Sequence, residues 1–270
     1  MKNLRFKVFL PVCLVLFLLA GCGEQDNSSG VREAGSLNKL IDTAWQDGWT
    51  LPGYLVKDSK DTFLSRTDNQ IALGLAGGAS IAMYQGADEN IAVYFEKNEI
   101  FHNIADRGLK LAGYPGVHFA GAGLWYAMSV NSDDDFNKDR AFTMIRALSL
   151  TGLTTMGLKA IRDDETPAGE RWAWPSGHTS SSFAVASVLD EFYGPKVGIP
   201  AYAAATLVGL RMMDQQDHWG SDVVFGATLG WVIGHTVAGK HKQLEVAGFK
   251  VIPFMATNAP VTGLALYKQF

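Results

Sequence analysis

The segment Pro175-Ser176-Gly177-His178-Thr179-Ser180 joins a Pro/Gly turn, three hydroxyl groups and an imidazole, and it runs straight into the helical-looking SSFAVASVL. A turn opening onto a helix N-terminus exposes backbone N–H donors at the positive end of the helix dipole, a natural place for an anion. There Ser176 can donate a hydroxyl hydrogen bond and His178 can move a proton. On residues alone, a turn-and-cap role and a catalytic role both remain open for this segment. Further cationic and imidazole groups lie on either side. Lys159 precedes the loop IRDDETPAGERWAW, while Arg211 and the run Asp217-His218-Trp219-Gly220-Ser221-Asp222 follow it. Lysine and arginine supply charge and several donors for phosphate oxygens. His218 can attack phosphorus if Asp222 fixes its tautomer. Were residues 218 to 222 helical, the i,i+4 spacing would put that pair on one face.

This constellation resembles the type 2 phosphatidic acid phosphatase and vanadium haloperoxidase superfamily over residues 159 to 230, most closely in PSGHTSSSF and HWGSDVVFGATLG. Two motifs depart from the family pattern. Where the family has Lys, six residues and Arg-Pro, this chain has Lys159, six residues and Thr166-Pro167. Where the family has Ser-Arg, five residues, His, three residues and Asp, this chain has Leu210-Arg211, six residues, His218 and Asp222. The resemblance implies an all-α, compact helical bundle. It makes His218 the nucleophile of a phosphohistidine intermediate, Asp222 its orienting partner and His178 the acid for the leaving alcohol. Lys159, Ser176, Gly177 N–H and Arg211 would surround the phosphoryl oxygens, with no metal and no cofactor. Thr166 brings a hydroxyl but not a bidentate charge, so Arg162 and Arg171 are the candidates to compensate. The extra residue before His218 would rotate it by about 100° relative to Arg211 on an unbroken helix; a turn in MMDQQD would absorb that.

The implied activity is hydrolysis of a phosphate monoester, on a lipid or isoprenoid carrier or on a soluble molecule. The alternatives are a catalytically weak phosphate-binding or envelope-assembly lipoprotein on the same scaffold and, less in keeping with Thr166, a haloperoxidase that would need vanadate.

The elements that must position these residues read as mainly helical. LNKLIDTAW from Leu37 suits a short amphipathic helix, with Trp45, Trp49 and Tyr54 packed about a turn made by Gly48, Pro52 and Gly53. Further helices are expected over Asn69–Tyr84, Glu89–Gly108, Phe136–Ala160 and in a set after residue 178. The acids of Asn131 to Asp135 form a solvated loop that caps the third of these, because they lack the alternating ligand pattern of a calcium site. Residues 197–213 and 222–238 are apolar enough to raise the question of membrane spans, yet neither holds eighteen uninterrupted apolar residues. The chain from Val251 to Phe270 changes character and suits a small C-terminal hairpin around an Asn/Pro turn. His102 reads as solvent-facing or locally bonded, His118 as part of a packed turn in GYPGVHFAGAG, His235 as helix core and His241 as surface. Met212 and Met213 read as packing residues.

The 270 residues, 47% hydrophobic and 19% charged, describe one sizeable folded domain rather than a disordered chain. The formal charge of −4 offers no electrostatic case for nucleic-acid binding. Both cysteines fall at the N-terminus. Lys2, Arg5 and Lys7, then the apolar residues 8–20, then Leu19-Ala20-Gly21-Cys22 resemble a bacterial lipoprotein signal. That reading divides the chain into a signal peptide (1–21), a flexible tether on lipidated Cys22 (22–35), a helical phosphatase-like domain (36–250) and a short extension (251–270). It attaches the protein to a membrane by acyl chains, at the periplasmic face of the outer membrane given Gly23 after the cysteine. Its partners would then be a phosphorylated substrate and the bilayer, and no protein partner is expected.

Overall fold

The computed structural model describes residues 27–239, 245–246, 249–255 and 262–267, with side chains from Ser36 to Gly239. The segment read as a signal peptide, Cys22 and His241 lie outside them. Nine α-helices precede a small sheet among the described residues: α1 (Asn27–Lys60), α2 (Thr67–Gly86), α3 (Asp88–Lys97), α4 (Asn103–Ala112), α5 (Pro115–Asn131), α6 (Asp135–Arg162), α7 (Gly177–Tyr193), α8 (Pro195–Asp214) and α9 (Gly220–Ala238). The sheet is antiparallel, in the order β1 (Glu245–Val246), β2 (Phe249–Met255), β3 (Thr262–Tyr267). The β2–β3 pair is the expected hairpin, with β1 added at its edge.

The chain is an all-α, helix-rich bundle built around α9, which packs on α7, α2, α6 and α8. Its core is continuous across helices. Ala76 of α2 and Leu150 of α6 close on Phe225, Leu229 and Ile233 of α9. Farther out, Ala122 of α5 and Val188 of α7 close on Met144, Ala147 and Leu148 of α6. Among the described residues no helix is long and apolar enough to cross a membrane. The apolar segments 197–213 and 222–238 are α8 and α9, whose hydrophobicity serves the bundle.

The closest contact in the bundle is set by glycines. A Cβ on Gly226 would stand 2.8 Å from the Ser176 carbonyl oxygen, one on Gly230 2.0 Å from that of Ser180, and one on Gly234 2.6 Å from that of Ala184. Both series advance by four residues in the same direction, so α7 and α9 run parallel with their backbones in contact. Their N-termini therefore sit side by side, a register fixed where Ser176 N–H donates to the Asp222 carbonyl at 3.1 Å.

Several elements differ from the sequence expectation. The first helix starts at Asn27, inside the segment read as a tether, and continues through Gly48, Pro52 and Gly53 instead of turning. Tertiary bonds offset the proline's missing donor. Asp47 accepts from Tyr126 Oη at 2.5 Å, and Asp58, only 3% exposed, holds Arg146 of α6 at 2.9 and 2.6 Å. Trp45 and Trp49 pack edge to face on each other at 5.6 Å and stay exposed. The helix expected over Glu89–Gly108 is two, α3 and α4, because the buried Asp214 carboxylate captures the intervening Ile100 and Phe101 N–H groups at 2.7 and 3.0 Å. The GYPGVHFAGAG segment is the start of α5 with Pro115 in its first turn, rather than a packed turn. Asp134 caps α6 as expected, its carboxylate accepting from Asn137 N–H at 2.9 Å.

The α7/α9 contact predicts that Gly230→Ala lowers the thermal unfolding midpoint by an amount corresponding to about 1–3 kcal/mol of overpacking. Gly78→Ala, whose Cβ meets nothing within 4 Å, is expected to leave it near wild type. Circular dichroism melts of the two variants check this.

Candidate active site

Side-by-side helix N-termini bring His178, in the first turn of α7, toward His218, two residues ahead of α9. His218 is buried (8% exposed) and its Nδ1 lies 3.3 Å from Asp222 Oδ2. The pair meets across the helix start and not along a helical face, since α9 begins only at Gly220. Asp222, fully buried, turns back so that Oδ2 also accepts from Trp219 N–H at 3.0 Å. A carboxylate that accepts the N-cap N–H stays at the helix's positive end, and an ionised Asp222 favours the imidazole tautomer with the proton on Nδ1, which leaves the Nε2 lone pair free.

His178 stands against the Tyr114 ring, centroid to centroid 5.8 Å, and its Nε2 is buried without a hydrogen-bond partner. Burial pushes its pKa down to about 4, and the nearby His218 and Arg211 push the same way, while Asp217 opposes them. The charge of Lys110 on α4 also bears on it. At neutral pH the imidazole is therefore neutral until an anion arrives beside it.

Lys159, at the end of α6 and 8% exposed, donates from Nζ to the Trp172 carbonyl and, at 3.0 Å, to that of Ala173. Burial lowers its pKa to about 8, against the opposing pull of the Asp222 and Asp164 carboxylates. It thus grips the loop that delivers Ser176 while sharing the field of Asp222. Ser176 is fully buried as the N-cap of α7, its Oγ accepting from Thr179 N–H at 3.4 Å and Thr179 Oγ1 at 2.9 Å. Gly177 is the first residue of that helix, where backbone N–H groups lack intrahelical acceptors. Arg211, 3% exposed near the end of α8, completes the set.

Thr166, where the resembled pattern has arginine, is buried and bonded within its own loop. It locks its own loop, its N–H donating to Glu170 O at 2.8 Å and its Oγ1 accepting from Glu170 N–H at 3.1 Å. Neither compensating candidate is free to replace that charge. Arg171 is largely exposed and paired with Asp163, and Arg162 pairs with Asp164 at 2.8 Å while lying 5.1 Å from the Trp174 and Tyr84 rings. The remaining described histidines stand elsewhere. His102 pairs locally with Glu99, His118 Nε2 donates to the Ala112 carbonyl at 2.7 Å, and His235 meets Glu191 at 2.9 Å.

Four residues gained importance only in three dimensions. Asp88, 2% exposed at the start of α3, accepts from Ser221 N–H at 3.0 Å and so caps α9 from outside. Ser80 of α2 donates to Ser221 O at 3.2 Å and accepts from Trp174 Nε1 at 3.1 Å, tying α9 to the loop before Ser176. Asp106 of α4 and Asp217 both pair with Arg211. The clue to Asp106 was its inward place beside Leu109 on an amphipathic α4; Asp88 and Ser80 act through long-range contacts with no local signal, and Asp217 reaches Arg211, six residues back, through the turn at Gln216. Among the described residues no group of three or more histidines, cysteines or acids is arranged to hold a metal.

Residues 158–244, about a third of the chain, match the model of the PAP2 superfamily. A lipid A 1-phosphatase of Porphyromonas gingivalis is 35% identical over 77 residues, which are 27% of this chain and 17% of that protein's length. The chain thus spans under a fifth of the curated relative it matches. Among solved structures, a transmembrane PAP2-type phosphatidylglycerolphosphate phosphatase from Bacillus subtilis superposes with a TM-score of 0.49 at 20% identity, over 62% of this chain and 92% of that one.

The depressed His178 pKa has a consequence for stability. As pH falls from 6.5 toward 4, the unfolded chain takes up this proton before the folded one does, so the group withdraws stability across that window. Thermal midpoints measured from pH 7 to 4 are expected to fall more steeply in wild type than in His178→Gln.

Proposed function

We propose that this protein hydrolyses a phosphate monoester on an amphiphilic, lipid-like substrate through a phosphohistidine on His218. The observation that carries this reading is the pairing of a neutral, unbonded imidazole at one helix N-terminus with an Asp222-held imidazole at the other. In this reading the two positive helix ends and the buried cations Lys159 and Arg211 supply the positive charge that a phosphate at these imidazoles would meet. The partial match to the PAP2 superfamily, and a relative named for a lipid phosphate, support the substrate class.

In the proposed cycle the phosphoryl oxygens lie against the Gly177 end of α7, Lys159 and Arg211, groups already oriented where charge develops in the transition state. His218 Nε2 forms a bond to phosphorus while the bond to the ester oxygen breaks, and the Nδ1 proton stays on the ring, donated to Asp222. The bound dianion raises the His178 pKa by direct attraction, so His178 carries a proton and gives it to the leaving alkoxide. Water then attacks the phosphohistidine. His178 accepts the water proton, the P–N bond breaks, and inorganic phosphate and free His218 are restored. Because Lys159 loses its charge above about pH 8, phosphate affinity weakens on that side.

His218→Ala is expected to reduce phosphate release from a lipid phosphate or p-nitrophenyl phosphate to background, and His178→Ala to reduce it by about 10²–10⁴-fold. Assayed side by side, equal rates in wild type and both variants would instead favour a phosphate-binding lipoprotein without this chemistry.

The same proposal places the domain beside its substrate through an acyl anchor on Cys22, resting on the sequence of residues 1–22, at the periplasmic face of the outer membrane. Incorporation of radiolabelled fatty acid in a bacterial host, expected for wild type and lost in Cys22→Ala, tests it.

A further inference from the structure

The extra residue between Arg211 and His218 has a structural outcome. Helix α8 ends at Asp214, and Gln216 takes a left-handed φ of 59°, its amide held by the Ala92 carbonyl at 3.1 Å. This reversal carries His218 N–H back to the Met212 carbonyl at 3.0 Å and swings Asp217 underneath Arg211. The guanidinium is then claimed from both edges. Asp106 Oδ1 of α4 takes Nε and Nη2, each at 2.7 Å, and Asp217 Oδ2 takes Nη1. One buried positive charge faces two carboxylates.

The two acids are not equivalent. Asp106 approaches from a neighbouring helix with 23% of its side chain exposed, on the edge of the guanidinium opposite Nη1. Asp217 is on the loop, 35% exposed, next in sequence to His218, and its charge bears on His178. Asp217 therefore covers the Nη1 edge of Arg211 from the residue that leads directly into His218, which makes that edge the candidate for a phosphate held at the histidines.

We infer that Asp217 is a built-in competitor for phosphate, seated on Arg211 when the site is empty and displaced by the phosphoryl oxygens, while Asp106 remains as the positioning residue that holds the guanidinium in place. This rests on the reading of Arg211 as a phosphate ligand. Return of the Asp217 carboxylate to Nη1 after the P–N bond breaks helps expel inorganic phosphate. The same competition discriminates against anions too weakly charged to displace it. The longer loop, a departure from the family spacing, is what makes this possible.

Binding of inorganic phosphate to the full-chain protein, by calorimetry and by inhibition of p-nitrophenyl phosphate hydrolysis, reads this directly. Asp217→Asn is close in shape and removes only the charge. It is expected to bind inorganic phosphate about tenfold more tightly than wild type, the order of one close charge pair, and Asp217→Ala to change in the same direction. Asp106→Asn is expected to bind more weakly, and the gain from Asp217→Asn to vanish in an Arg211→Gln background. Unchanged or weaker binding in both Asp217 variants overturns the inference, and leaves the phosphatase reading intact if wild type turns over and His218→Ala does not. Phosphate affinity indifferent to Arg211→Gln, with no turnover by wild type, overturns the site reading and this inference with it. A purely structural role for Asp217 would loosen phosphate binding, and a general charge effect that does not act through Arg211 would persist in the Arg211→Gln background; either result overturns the inference.

Discussion

Everything chemical in this molecule depends on the absence of three β-carbons. With Gly226, Gly230 and Gly234 laid on the carbonyls of Ser176, Ser180 and Ala184, α7 and α9 approach as closely as backbones can, and they do so in parallel. Separating the helices to admit side chains at those positions would pull apart the segments that carry His178 and His218. The parallel sense matters as much as the distance. Antiparallel packing would set a positive helix end beside a negative one, whereas here two positive ends meet and reinforce each other at one place. The Ser176-to-Asp222 backbone bond then fixes the axial register, so the same contact sets both the spacing and the field of the site.

That arrangement is braced from the half of the chain with no family match. Asp88 holds the first turn of α9, and Ser80 bridges that turn to Trp174. A second buried carboxylate at the α9 N-terminus, besides Asp222, offsets the positive helix end and keeps the turn from shifting against α7. The brace also accounts for Gly220. A Cβ there would lie 2.9 Å from Met83 Cε and 3.2 Å from Asp88 Oδ1, so the side-chain ends of α2 and α3 close over the start of α9 and a larger residue at 220 would require them to shift. Helices α2 and α3 thus position the chemistry without contributing a reacting group.

The legible part of this protein was its local chemistry. Ser176, Gly177 and His178 announced a capped helix start because a turn, a hydroxyl and a helical run are contiguous, and His218 with Asp222 was recognisable from four-residue spacing, although the pair meets through a helix-capping turn. The acids around Arg211 were not legible, since Asp106 lies more than a hundred residues away in the chain and Asp217 reaches Arg211 only through a left-handed Gln216. Helix lengths failed for a related reason. Pro52 and its flanking glycines favour a turn locally, but Asp47 and Asp58 find buried partners on α5 and α6 that keep α1 continuous. In the other direction, a good helical pattern over residues 89–108 was broken because Asp214 offers its carboxylate to the backbone between α3 and α4. Local propensity is worth tenths of a kcal/mol per residue, about 3 for proline, and a buried carboxylate with two backbone donors outweighs the weaker of these preferences.

The two departures from the pattern that the sequence resembles bear on the same quantity. Thr166 removes a fixed positive charge from the site, and the longer loop brings Asp217 to neutralise another, so both reduce the positive potential available to an anion. Lys159 adds to the trend, because burial has brought it to the point of losing its proton just above neutral pH. Against this stand contributions that cannot titrate: the two helix ends, with Arg211 held in orientation by Asp106. A site of this kind relies on oriented dipoles more than on counted cations. Dipoles fall off faster with distance than charges do, so such a site holds a phosphoryl group strongly only when its oxygens are seated against the helix ends. The charge balance therefore favours geometry over long-range attraction, and it puts the demand for placement back on the glycine contact that joins α7 to α9.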